Sequence, residues 1–184
     1  MTIYLRNIAG LADSEDQPQI FIVCLAAYAK GILFGAWLDA TQAVADIQEQ
    51  IKQLLAKSPH RGTGKFAIQD YMGFGSWRID ESACIEDIQQ KAVFILEQGL
   101  IAAELIAFYD GNLEQAKEAS EKYYEGQYWD KLDYATCLFN KLHLPKIPEK
   151  LQNCIDYKQF QRNIFSGEYF CLDVKGSCHI FRHH

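Results

Sequence analysis

Residues 20–38 read IFIVCLAAYAKGILFGAWL and carry a single charge, Lys30. Whatever this run becomes constrains the rest of the chain. It is nearly as long as the roughly 20 residues that a membrane-spanning helix needs. Yet Lys30 falls at its middle, where a charge in hydrocarbon is most costly, and Gly31 follows it and permits a turn. Two buried strands, 20–27 and 32–37, joined around Ala29-Lys30-Gly31, fit these residues better than a membrane span does. A sheet near the amino terminus is therefore expected.

The remaining elements follow from periodicity. After Asp39 and Thr41, either a candidate cap, Val44, Ile47, Ile51, Leu54 and Leu55 recur at helical spacing until Ser58-Pro59. A loop over 60–64 then leads to a third strand at Phe66–Gln69. Ser82 is the expected cap of a helix that runs through Ile85, Ile88, Ala92, Ile95 and Leu96, with Gly99 its stop or kink. Helical sequence continues over 100–109 up to Asp110-Gly111. A further helix is expected from Leu113 to Glu125, stopping at Gly126, and another over 131–142, ahead of Pro145 and Pro148. The end of the chain reads as a short helix at 156–165 and two strands, 169–174 and 177–181, about Lys175-Gly176. The predicted class is α+β, in three consecutive small subdomains. An α+β part covers 1–76, an acidic helical part 77–142 and a second α+β part 143–184.

Charge separates the middle part from its neighbours. From Arg78 to Asp133 there are thirteen acids and five bases, whereas the preceding residues have seven and six and the following ones four and seven. The thirteen are Asp80, Glu81, Glu86, Asp87, Glu97, Glu104, Asp110, Glu114, Glu118, Glu121, Glu125, Asp130 and Asp133. Such a field repels nucleic acid and favours a basic protein partner. Glu114, Glu118, Glu121 and Glu125 step by four, three and four, which on a helix sets them on one face like a row of phosphate surrogates. A solvated helix face is the plainer reading, and Lys117 and Lys122 support it. The cluster Asp80, Glu81, Glu86 and Asp87 also suits the positive end of a helix dipole.

Catalytic motifs are missing. Gly62-Thr63-Gly64-Lys65 lacks the spacing of a phosphate loop, and no serine lies in a nucleophile elbow. Cys171, Cys178, His179, His183 and His184 match no standard zinc pattern, so neither a metal nor a cofactor is expected. The six cysteines, without paired spacing, read as reduced core residues of a cytoplasmic protein. No secretory leader precedes them. With ten Tyr and eleven Phe the chain has apolar surface enough to fold rather than remain disordered.

Several phrases together resemble the ArdA antirestriction family. They are Ile22–Tyr28 (IVCLAAY), Gly35–Thr41 (GAWLDAT), Phe66–Phe74 (FAIQDYMGF), Tyr124–Tyr128 (YEGQY), Ile147-Pro148-Glu149, Ile155–Phe160 (IDYKQF), Gly167–Phe170 and His179–Phe181. The resemblance implies an elongated three-part protein, a homodimer, whose surface carboxylates imitate B-form DNA. It implies that the chain is no enzyme and that its partner is a type I restriction-modification complex, with no direct contact to nucleic acid. The thirteen carboxylates are then the partner-binding groups. The family is typically more acidic than this chain, which has glutamine at surface-like positions such as Gln48, Gln89, Gln90 and Gln115.

The aromatic, net-basic end of the chain is the expected dimer contact, through Tyr157, Phe160, Phe165, Tyr169 and Phe170. Pairing there avoids juxtaposing acidic surfaces. A second functional reading keeps the fold but has it bind another defence complex or a host regulator. Steep weakening by salt would favour the first reading over the second.

Overall fold

A computed structural model describes residues 3–5, 17–60 and 64–183. The chain divides into two compact units, Met1–Gly111 and Asn112–His184. Both mix helices with a small sheet, which makes the class α+β.

The apolar run opens the first unit's sheet. Strand β2 (Gln19–Cys24) is buried at all six positions because it lies between β3 (Phe34–Asp39) and β4 (Phe66–Met72), antiparallel to both. Strand β1 (Ile3–Leu5) joins the far edge of β3 in parallel, giving the order β1-β3-β2-β4. Phe21 faces Trp37 across the ladder with ring centroids 5.3 Å apart, and together with Val23 and Ala67 they fill one face. The expected strand over 20–27 ends three residues early, because Leu25–Tyr28 winds into a short helix, α1. Among the described residues no helix is long and apolar enough to cross a membrane.

Helix α2 (Val44–Ala56) packs on β2 and β3 and buries Ile47, Ile51 and Leu54. Each such side chain contributes roughly 1.5–3 kcal/mol of transfer free energy. Neither expected residue caps the helix. Asp39 ends β3, too far from the first turn, and its Oδ1 instead accepts from the Thr41 amide (2.8 Å) and hydroxyl (2.6 Å). The loop expected over 60–64 lies partly outside the described residues.

Helices α3 (Ile85–Gln98) and α4 (Leu100–Phe108) pack on each other. Gly99 separates them with φ of 77°, a conformation that only glycine adopts without strain. Ser82 does not cap α3. Its amide and hydroxyl both donate to Asp80, and the helix starts after Cys84.

In the second unit α5 (Leu113–Lys122) stops before the expected Glu125. Residues 124–128 form strand β5 (Tyr124–Tyr128), paired with β7 (Ser177–Arg182), which pairs in turn with β6 (Tyr169–Val174). Helical spacing extended the carboxylate row into this strand, whereas the tyrosines at its two ends, Tyr124 and Tyr128, suit a ladder. Gly126 is no helix stop. With φ of 121° it sits where the β5–β7 register shifts, a bulge that bends the strand. Helix α6 (Lys131–Leu142) packs on β5, β7 and α8 (Tyr157–Ile164), and a four-residue helix, α7 (Glu149–Gln152), lies between.

The core of this unit is Tyr134, Ala135, Ile164, Cys178 and Ile180, ringed by Tyr128, Leu138, Phe160, Phe165 and Tyr169. The Tyr134 hydroxyl is buried without a hydrogen-bond partner among the described residues. Burial first, and then nearby Tyr169, pushes its pKa far above the ordinary tyrosine value, though the two hydroxyls do not reach bonding geometry.

The cysteines differ from expectation. Cys171 and Cys178 are joined by a disulfide between β6 and β7, their Cα atoms 5.9 Å apart. Antiparallel pairing sets them diagonally opposite on one face, as the register of a hairpin about Lys175-Gly176 requires. Of the four free cysteines Cys24 is buried, whereas Cys84, Cys137 and Cys154 are exposed and do not belong to a core.

Candidate partner-binding surface

None of the thirteen carboxylates is buried. Ten are exposed, and Glu104, Glu118 and Asp133 are partly so. They differ in what already engages them.

In the first unit, Asp80 organises the turn before α3 by accepting from Ser82, and those bonds hold its pKa below the ordinary aspartate value. Glu86 accepts from the Cys84 thiol (2.7 Å) and from Gln48 on α2 (2.8 Å). The thiol contributes most to holding its carboxyl low. Glu104 accepts from the Ser76 amide at 3.0 Å and so ties α4 to the loop after β4.

Asp87 is the clearest case of an internal duty. Its Oδ2 lies 2.6 Å from the ammonium of Lys91, a residue only 4 % exposed whose Nζ is 4.5 Å from the centroid of Trp77. An unpaired buried cation is strongly destabilising, so this carboxylate balances a charge of its own unit. By contrast Glu81, Glu97 and Asp110 are exposed and make no side-chain hydrogen bond or ion pair among the described residues.

In the second unit Glu114, Glu118 and Glu121 share one face of α5, opposite buried Ala116 and Ala119. Glu118 pairs with Lys122 at 2.9 Å, and that bond raises the lysine's pKa. Glu125 is on β5, not on this helix, and approaches Arg182 at 3.9 Å. Asp130 caps α6 by accepting from the Asp133 amide at 2.8 Å, while Asp133 accepts from the Trp129 amide at 3.2 Å.

The three glutamates of α5 span about 10 Å of helix axis, one charge in ~5 Å. Duplex DNA carries one in roughly 1.7 Å. One helix is therefore a dilute polyanion, and imitation of a duplex requires several carboxylate-bearing elements. The first unit holds fourteen acids and eight bases, the second ten of each. The whole net charge of −6 thus resides in the first unit, although a window along the sequence places the acidity in the middle of the chain.

The aromatic residues at the chain's end pack within the second unit. Tyr157 donates to Asn140 at 2.8 Å and meets Phe139 edge-on, as does Phe160. Phe165 and Tyr169 pack against Tyr134, and Phe170 stacks on Phe181. Phe170 is buried and the other four are half-buried.

Two features went unread in the sequence. Lys91 follows Ile88 by three residues and so falls on the buried face of α3, a position its charge disguised. Trp129 joins β5 to α6 and is 91 % exposed, which no periodicity signals.

Among the described residues no group of three or more His, Cys, Asp or Glu side chains is arranged to hold a metal ion. No curated protein matches the chain. The family model described as antirestriction protein (ArdA) matches residues 20–177.

Proposed function

The chain belongs to the ArdA antirestriction family, and from that premise we propose that it is a non-catalytic DNA mimic that occupies the DNA-binding groove of a type I restriction-modification enzyme. The observation that carries this reading is the exposure of the carboxylates, above all Glu81, Glu97, Asp110, Glu114 and Glu121, whose side chains make no hydrogen bond or salt bridge among the described residues. A groove lined with lysine and arginine attracts such groups over about a Debye length, roughly 8 Å at physiological ionic strength. Residues 77–142 present the charge in this reading, and residues 143–184 pair with a second copy through the exposed edges of Tyr157, Phe160, Phe165 and Tyr169. Phe170 lies on the other face of the sheet, stacked on Phe181. Such an inhibitor works in the cytoplasm, where restriction acts, and needs no cofactor.

The test is inhibition of a purified type I enzyme by the variant Glu114→Gln, Glu118→Gln, Glu121→Gln, Glu125→Gln. Glutamine keeps the shape and nearly the helix propensity while removing the charge. Inhibition should weaken about 10-fold or more at low salt and lose part of its salt dependence. Changing Lys117 and Lys122 to Gln should strengthen it. A four-fold variant as potent as the parent would refute a role for these four carboxylates. Potency unaffected by salt would instead favour a contact with some other protein complex.

A further inference from the structure

We propose that Trp129, flanked by Asp130 and Asp133, is a receptor for an arginine side chain of the partner protein. The proposal rests on the functional reading above for the partner's identity, but not for the chemistry of the site.

Tryptophan is on average among the more buried residues, and a ring 91 % exposed contributes little to its own core. Here the backbone is fixed while the indole stands out. Tyr128 just before it is anchored edge-on against buried Tyr134, with centroids 5.0 Å apart. The Trp129 amide donates to Asp133, and Asp130 begins α6 as its cap. Capping accounts for one oxygen of each aspartate. It does not account for the indole.

Trp129 and Asp133 line a cleft of about 340 Å³ with Gln127, Tyr128 and the β6–β7 turn residues Gly176 and Ser177. Asp133 is the charged member of this lining. Burial first, then Cys137, Glu125 and Asp133, push the Tyr128 hydroxyl's pKa up. Lys131 turns onto the Phe165 ring, 5.4 Å from its centroid.

This chemistry selects among occupants. The Asp133 carboxylate, in the same cleft as the ring, repels a phosphate and so disfavours a stacked nucleotide. A guanidinium is planar and lightly hydrated, stacks on an indole face and offers paired donors to a carboxylate at its rim. A lysine ammonium satisfies the ring but not the planar stack. Tryptophan and arginine are also the residues that most often dominate binding at interface centres.

Inhibition of a purified type I enzyme by the intact chain tests the proposal through four variants: Trp129→Ala, Trp129→Phe, Trp129→Leu and the pair Asp130→Asn with Asp133→Asn. Asparagine still caps a helix, so the last keeps α6 while removing its charge. Expected are losses of about 10-fold for Ala and Leu, less than about 3-fold for Phe, and several-fold for the asparagine pair. Trp129→Ala equal to the parent overturns the proposal. Leu as good as Phe also overturns it, by showing a merely apolar contact.

If the parent itself fails to inhibit, the functional reading falls, and a second measurement decides the site alone. The Trp129 indole N–H resonance is followed while N-acetyl-arginine amide, or the uncharged N-acetyl-citrulline amide, is added. A shift with arginine alone supports the receptor, whereas no shift or an equal shift with both refutes it.

Discussion

At the scale of single residues the carboxylates are not interchangeable, and Asp87 shows why. Its partner Lys91 is buried beneath Trp77, so removing the anion strands a cation in a poorly solvated place. Asp87→Asn should lower unfolding stability by about 1–3 kcal/mol, below the 3–5 of a fully buried pair because Asp87 itself is half-exposed. Changing Lys91 to Met as well should recover most of the loss, since the straight apolar chain fills the same site. Urea denaturation of both variants measures this, and equal losses in the single and double variants would show that the pair does not couple. Asp87 is therefore expected to affect potency mainly through stability. The sequence shows Lys91 four residues after Asp87, as in any solvated helix pair, but not the burial of Lys91, which depends on the packing of α3.

At the scale of elements, most of the fold was legible. The β2–β3 hairpin, α2, the break at Gly99, α6 and the β6–β7 hairpin all followed from local pattern, because each buries a face whose period is set by its own geometry. The misreadings share a cause. Asp39, Thr41 and Ser82 are cap-type residues used in turns instead, a choice made by backbone a few residues away. Residues 124–128 became strand because β7, some fifty residues on, offered a ladder. Such long-range pairing overrides local spacing. The Gly99 junction is testable as an element. Gly99→Ala forces a side chain into φ of 77° and should destabilise the protein by about 1–2 kcal/mol in thermal or urea unfolding. No change would mean that α3 and α4 can join differently.

At the scale of the whole molecule, the charge division bears on self-association. Two copies meeting through residues 1–111 would set a net −6 against −6, whereas two meeting through the second unit would bring balanced surfaces together. We predict a homodimer in sedimentation velocity that persists as salt falls to about 20 mM, where the Debye length exceeds 20 Å and repulsion is greatest. A monomer, or a dimer that dissociates on lowering salt, would contradict pairing through the second unit. Composition hinted at this division, but locating it needed the boundary at Gly111, which cuts through the acidic stretch.

The Tyr134 hydroxyl, alone in the second unit's core, has an evolutionary corollary. An unsatisfied buried hydroxyl costs about 1–3 kcal/mol, and a chain that keeps one remains above the threshold that selection enforces. Carboxylates added to an already acidic surface increase self-repulsion, so a lineage that gains surface acids needs stability to lose. Removal of one oxygen atom, by the single step from tyrosine to phenylalanine, would supply some of it. The core of the second unit thus holds open a mutational path for the surface of the first.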